Sequence, residues 1–163
     1  MARFEIQFWE HANDLMDSDF NPNELAQQCG NAMYARDPAS QKMGILLREI
    51  RPGTARMEMK VTASMANGKG ICHGGYLFSL ADTTMAFASN SRNEAYVAVS
   101  ASIEFLDAGR IGDTMTAIAI EEHRAGRTAT YRVAVTNDSN AAIAQFLGRT
   151  YRIRGTVLEN SDE

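Results

Sequence analysis

The sequence predicts an α+β domain in which a curved antiparallel sheet surrounds one long central helix. Three observations predict this fold. A hairpin pattern precedes a long apolar helical segment, four segments with an apolar residue at every second position follow it, and the turns between those four segments are short. Short turns make consecutive strands antiparallel neighbours, because a parallel crossover needs a dozen residues or more.

The N-terminal part is predicted to be helical. Apolar residues in the range 4–16 follow approximate helical spacing, which indicates an extra N-terminal helical segment. A second helix is predicted to begin after Asn21, a residue that caps helices well, with Pro22 at the first helical position. It should run to about Arg36, since the residue before Pro38 disfavours the helical conformation.

The middle of the chain predicts a hairpin and then the central helix. Residues 44–61 contain two apolar runs around the turn signal Arg51-Pro52-Gly53-Thr54, and the second run alternates with charged residues. Residues 75–89 are apolar around most of a helical circumference, so this helix should lie inside the protein under the sheet.

The second half of the chain alternates with a period of two residues, which is typical of half-buried strands. The predicted strands cover residues 96–106, 113–123, 127–136 and 142–153. We therefore expect three parts in the chain: an N-terminal helical extension over residues 1–20, the α+β domain over residues 21–155 and a flexible C-terminal tail over residues 156–163.

The composition argues against several classes of function. The formal net charge of the 163 residues is −4 and the basic residues are scattered, so no nucleic-acid partner is expected. No segment resembles a signal peptide or has the apolar length of a membrane span, so we expect a cytoplasmic protein with no membrane partner. Two cysteines and three histidines without metal-ligand spacing predict neither a disulfide framework nor a metal site.

The start of the central helix carries the most informative chemistry. Gly74 and Gly75 leave backbone N–H groups uncovered by side chains, and the helix dipole adds positive potential there, so the pair predicts an oxyanion hole. Asp82 lies in the middle of the same apolar helix, where an ionised carboxylate is costly unless it is paired or used in catalysis. The alternative is structural: close packing by the glycines, and a carboxylate that caps a backbone or faces water.

The segment from His73 to Ser91 reads HGGxxFxLADxxxAFAxNS. It closely resembles the signature of hotdog-fold thioesterases of the phenylacetic acid degradation (PaaI) group, and the resemblance extends from about Glu24 to Gly155. It implies the hotdog fold and a thioester hydrolase acting on acyl-CoA, most typically aryl-acetyl-CoA, without a metal or organic cofactor.

The resemblance also implies roles for individual residues. Asp82 matches the catalytic carboxylate, as general base or nucleophile, and Gly74 matches the residue whose N–H polarises the thioester carbonyl. Asn67 and His73 match loop residues that line the same pocket, and Gly75 is a further candidate for substrate binding.

The spacing of these candidates bears on oligomeric state. Gly74 and Asp82 are eight residues apart, so they lie roughly 12 Å apart along one helix axis, too far to touch the same carbonyl carbon. Two such helices, antiparallel across a two-fold axis, would bring Asp82 of one subunit beside Gly74 of the other. A homodimer is therefore expected, and the resemblance implies pairing of dimers into a homotetramer.

Other interpretations remain open. Cys72 beside His73 is either a thiol nucleophile or a buried inert cysteine. Ser100 and Ser102 either position water or belong to a half-exposed strand. Five arginines either contact CoA phosphates or guard a solvated sheet edge: Arg124, Arg127, Arg149, Arg152 and Arg154. The alternative functions are a hotdog hydratase or dehydratase and a non-catalytic acyl-CoA binding module.

Overall fold

The computed structural model describes residues 21–158, which form a six-stranded antiparallel sheet around a central helix. The helices are α1 (Pro22–Ala35), α2 (Pro38–Lys42) and α3 (Gly74–Asn90), and a 3-10 turn covers Ala63–Met65. The strands are β1 (Ile45–Arg51), β2 (Thr54–Lys60), β3 (Tyr96–Phe105), β4 (Thr114–Ala125), β5 (Thr128–Thr136) and β6 (Ala142–Arg152). The predicted fold class is confirmed. The predicted N-terminal helical extension and residues 159–163 lie outside the described residues.

The first helix begins and ends where its caps predict. The Asn21 side chain accepts a hydrogen bond from the backbone N–H of Asn23, 3.0 Å away, and Pro22 is the first helical residue. The Asp-Pro pair that ends α1 also starts α2, because the Asp37 side chain accepts from the Ser40 N–H at 3.0 Å. In the sequence this pair indicates only the end of a helix, and α2 was not predicted.

The core lies between the inner face of the sheet and α3. Met57 and Met115, on the inner faces of β2 and β4, are fully buried, as is Met85 of α3. Gly148 lies directly against α3, since a Cβ at this position would lie 2.3 Å from the Met85 sulfur. A side chain at residue 148 would therefore force the buried Met85 side chain, or β6 itself, to shift.

The sheet has the order β1-β2-β4-β5-β6-β3, so β3 is an edge strand with β6 as its one neighbour in the described chain. Its first residue is held to the end of α3. The Asn90 side chain accepts from the Tyr96 N–H at 2.9 Å and donates to the Tyr96 carbonyl oxygen at 3.2 Å. Most other β3 residues are exposed, including Val97 and Val99. Among residues 21–158, no helix is long and apolar enough to cross a membrane.

A partly buried polar cluster fixes the segment that follows α3. The Arg92 guanidinium donates two hydrogen bonds to the Glu121 carboxylate, at 2.7 and 3.1 Å, and the Tyr131 hydroxyl donates a third at 2.7 Å. Desolvation alone would raise the pKa of Glu121, but these hydrogen bonds and the charge of Arg92 outweigh it, so the pKa of Glu121 is lowered. Burial and the bond to Glu121 raise the pKa of Tyr131.

We expect Glu121→Gln to destabilise the fold by about 1.5–3 kcal/mol at neutral pH, since Arg92 loses its charged partner in a desolvated position. Because the folded-state pKa of Glu121 is lowered, its stabilising effect is present above the unfolded pKa and is lost as pH falls through the folded value. The difference from wild type should therefore shrink below about pH 4. Urea unfolding at pH 7 and in acid measures both effects.

Glu122→Gln is the matched control for this prediction. Its side chain pairs with Arg132 on the surface, where the two side chains are 41% and 56% exposed. Exposed pairs contribute roughly 0–1 kcal/mol, so this variant should unfold almost like wild type. Equal destabilisation by the two variants would contradict the assigned role of the cluster.

Candidate active site

The start of α3 leaves one backbone donor free. His73 is the N-cap residue, and its Nδ1 atom accepts a hydrogen bond from the Gly75 N–H at 2.9 Å. The His73 carbonyl oxygen accepts from the Tyr76 N–H, also at 2.9 Å. The Gly74 N–H donates to no group within residues 21–158. Of the predicted glycine pair, Gly75 is therefore used by the cap and Gly74 keeps an available donor at the positive end of the helix.

The loop before α3 is folded back onto itself, which places Asn67 on the same structural unit as His73. Ala66 forms a β-bridge with Cys72, and the His73 N–H donates to the Met65 carbonyl oxygen at 2.9 Å. The Asn67 side chain accepts from the Lys69 N–H at 2.9 Å and so shapes the tip of the loop. The loop and the helix start thus form one connected frame.

Asp82 lies two turns into α3 with its side chain half-buried. No hydrogen bond or ion pair joins its carboxylate to any other residue that the structure describes, so Asp82 caps no backbone within residues 21–158. Desolvation raises the pKa of Asp82. A half-buried carboxylate with no compensating donor disfavours the fold, and such groups are concentrated at functional sites.

Gly74 and Asp82 occupy one continuous helix, as the sequence predicted. The axial rise between them is roughly 12 Å, so the two groups of one chain cannot contact a single carbonyl carbon. The two groups of one chain are therefore too far apart to act on the same thioester. The Gly74 donor lies at one end of the exposed side of α3, and the Asp82 carboxylate lies further along it.

One residue beside the free donor was not predicted from the sequence. A Cβ on Gly74 would lie 2.8 Å from the Cζ atom of Phe105, so the tip of this aromatic ring rests against the Gly74 Cα. Phe105 is the last residue of β3 and is 54% exposed. Period-two alternation assigns Phe105 to a face of its strand, but the contact with a residue far earlier in the chain depends on the curvature of the sheet. That contact left no signal in the sequence.

The remaining candidates fall outside this arrangement. Cys72 is buried and desolvation raises the pKa of its thiol, which disfavours the reactive thiolate and supports the inert interpretation. Ser100 and Ser102 are exposed on β3. Arg124 and Arg152 are both paired with Glu94.

The other predicted arginines lie at the surface. Arg127 lies over the Tyr151 ring, with its guanidinium carbon 5.1 Å from the ring centroid, and Arg149 and Arg154 are exposed. No group of three or more His, Cys, Asp or Glu side chains among residues 21–158 has the arrangement of a metal site.

Comparison with known proteins gives a consistent result. A family model described as "Thioesterase superfamily" matches residues 69–144. Acyl-coenzyme A thioesterase PaaI of Escherichia coli K12 is 42% identical over 132 residues, which is 81% of this chain and 94% of that protein. A structure of the E. coli PaaI protein from the phenylacetic acid degradation operon superposes with a TM-score of 0.82 at 41% identity, covering 83% of this chain and 99% of that one.

A more distant structure was solved with a ligand. A hypothetical thioesterase from Streptococcus pneumoniae TIGR4, with coenzyme A, superposes with a TM-score of 0.66 at 26% identity, over 68% of this chain and 90% of that one. This chain therefore shares its fold with a protein whose structure contains coenzyme A.

Proposed function

The chain belongs to the thioesterase superfamily and is a thioester hydrolase with the hotdog fold, and from this premise we propose that it hydrolyses acyl-CoA at a site shared between two subunits. One observation carries the proposal. Within residues 21–158, the same helix presents an unused backbone donor at Gly74 and an unpaired, half-buried carboxylate at Asp82.

In the proposed mechanism the Gly74 N–H binds the thioester carbonyl oxygen. As the carbonyl carbon becomes tetrahedral, negative charge grows on this oxygen, and both the N–H and the positive end of α3 stabilise it. The donor needs no rearrangement for this role, because the helix cap already satisfies its neighbours and leaves it free. Asn67 and His73, on the adjoining loop, are proposed to line the pocket that holds the thioester.

Asp82 supplies the second half of the reaction. As general base it removes a proton from a water molecule that attacks the carbonyl carbon, and coenzyme A then leaves as its thiol. As nucleophile it attacks the carbon directly, the C–S bond breaks, coenzyme A leaves as its thiolate, and water then hydrolyses the resulting mixed anhydride and restores the Asp82 carboxylate. The desolvation that raises the pKa of Asp82 makes its carboxylate more basic and more nucleophilic, which suits both routes.

The two halves of the site are brought together by a homodimer in which the α3 helices run antiparallel. Asp82 of one subunit then lies opposite Gly74 of the other, and two-fold symmetry repeats the site. We further propose that dimers pair into a homotetramer, as the family resemblance implies, and that the enzyme is cytoplasmic.

We propose aryl-acetyl-CoA as the preferred substrate class. The support is the 42% identity to a PaaI acyl-CoA thioesterase and the phenylacetic acid degradation operon of the E. coli protein. An aromatic side chain beside the free donor, Phe105, is compatible with an aromatic acyl group.

A thiol-release screen tests the function. Purified enzyme is assayed with phenylacetyl-, hydroxyphenylacetyl-, benzoyl-, acetyl- and long-chain acyl-CoA, and free coenzyme A is titrated with a thiol reagent. We expect hydrolysis of all the short substrates, with kcat/KM highest for the aryl-acetyl group. Tight acyl-CoA binding without thiol release would indicate a binding module instead, and hydration of an enoyl-CoA would indicate a hydratase.

A further inference from the structure

The ring of Phe105 is partly exposed beside the start of α3. It rests against the Gly74 Cα, yet 54% of the residue is exposed in the single chain. Exposure of a large aromatic surface forgoes the favourable burial that such side chains usually achieve. The exposed part of the ring is therefore available to another molecule.

The contact is close enough that a side chain at residue 74 would displace the ring. The hypothetical Cβ of Gly74 would lie 2.8, 3.1 and 3.4 Å from three atoms of the Phe105 ring. Gly74 thus combines two features. Its N–H is free, and the absence of a side chain lets the Phe105 ring approach the backbone next to that N–H. Any group that accepts a hydrogen bond from this N–H has Phe105 as an adjacent apolar surface.

We infer that Phe105 forms the wall of the acyl pocket beside the Gly74 N–H and selects aromatic over small aliphatic acyl groups. The inference depends on the proposed function, since it concerns the acyl group of a thioester whose carbonyl oxygen is bound at Gly74. In an aryl-acetyl thioester one methylene separates the carbonyl carbon from the ring. That spacing lets the substrate ring adopt an offset or edge-to-face contact with Phe105, the geometries that aromatic pairs favour.

The polarity of the surroundings supports an apolar ligand. Glu104 precedes Phe105 and projects to the opposite face of the strand, because side chains alternate along β3. Phe105 therefore places an apolar ring beside the donor, and the adjacent carboxylate of its own strand lies on the other face.

The test compares kcat/KM for phenylacetyl-CoA and acetyl-CoA in Phe105→Ala and Phe105→Leu. We expect Phe105→Ala to lower kcat/KM for phenylacetyl-CoA by about tenfold or more, chiefly through KM, while acetyl-CoA changes by less than about threefold. The kcat/KM of Phe105→Leu for phenylacetyl-CoA should lie between those of wild type and Phe105→Ala. A purely structural role would lower both activities together, so the ratio between substrates distinguishes selectivity from stability.

Leu147→Ala is the matched control. Leu147 is 56% exposed, like Phe105, but it precedes the inward Gly148 and so lies on the outer face of β6. Its substrate ratio should equal that of wild type. The oligomeric state of every variant is measured by light scattering, because a ring that packed only between subunits would change assembly rather than selectivity.

The outcomes separate the two proposals. An unchanged substrate ratio in Phe105→Ala with wild-type thioesterase activity would overturn the inference and leave the proposed function intact. A change in ratio that accompanied dissociation of the oligomer would also overturn it. A wild-type enzyme that releases no thiol from any acyl-CoA would instead contradict the proposed function.

Discussion

Replacing Asp82 by asparagine should lower kcat for acyl-CoA hydrolysis by about 10²- to 10⁴-fold while the protein remains folded. Asparagine has nearly the same shape, so it preserves packing in α3 but can neither accept the proton from water nor attack the thioester carbon. Steady-state thiol release with the preferred acyl-CoA measures the loss, and Asp82→Ala should show a loss of the same order.

The same variant should be more thermally stable than wild type at neutral pH. The folded-state pKa of Asp82 is raised by desolvation, so the charged form is disfavoured in the fold and wild-type stability is reduced above that pKa. As pH falls below about 4, the carboxyl of Asp82 becomes protonated in both the folded and the unfolded state, and the advantage of the neutral amide disappears. Melting temperatures of Asp82→Asn and wild type, measured across this pH range, give the sign of the difference in stability directly.

Glu122→Gln removes one surface carboxylate and serves as the charge-matched control for both measurements. It should retain wild-type turnover and show no comparable gain in stability. Wild-type turnover in Asp82→Asn would end the assignment of Asp82 as the catalytic carboxylate. A lower melting temperature at neutral pH would instead indicate a structural partner for this side chain in the assembled protein.

The second large effect is expected from Gly74→Pro, which removes the proposed oxyanion donor. Gly74 is the first residue of α3, a position that tolerates proline because its N–H has no partner in the helix. His73 has φ −65° and ψ 133°, a conformation compatible with a following proline. Loss of one oxyanion donor should lower kcat by about 10²- to 10³-fold.

Gly74→Ala separates the donor from the contact with Phe105. Alanine keeps the N–H but places its Cβ against the ring, as the Cβ of proline also does. Gly74→Pro should therefore be much less active than Gly74→Ala, although both crowd Phe105. Equal activity of the two variants would show that the N–H of Gly74 does not take part in the reaction.

The two inactive variants together test whether subunits share the site. When Asp82→Asn and Gly74→Pro are co-expressed, a mixed dimer has one site with both groups intact and one site with neither. Random pairing makes half of the dimers mixed, so about a quarter of wild-type activity should return. Mixed dimers without activity would mean that each chain completes its own site.

The parts of the structure governed by local chemistry were predictable from sequence. Asn21 caps α1 as expected, and the apolar periodicity of α3 located the helix to within one residue at each end. The Gly74 donor and the Asp82 carboxylate followed from the cost of leaving such groups unused in an apolar helix. Their roles in catalysis remain predictions.

The parts that depend on tertiary contacts were not predictable. Asp37-Pro38 signals the end of one helix and the start of another equally well, so the short α2 was missed. The proximity of Phe105 to Gly74 arises because the sheet curves around α3, and no local pattern encodes that curvature. The irregularity in the β3 register between Ala98 and Ser100 was likewise missed.

Strand β3 is tied to α3 near both of its ends, at Tyr96 through the Asn90 side chain and at Phe105 through Gly74. The strand thus runs along the helix and contacts it near both of its own ends. Adding or deleting one residue in β3 after Ser100, where the pairing with β6 is regular, would turn the side chain at the end of the strand to its other face. Such a change would therefore separate the aromatic ring from the start of α3 without altering the attachment at Tyr96.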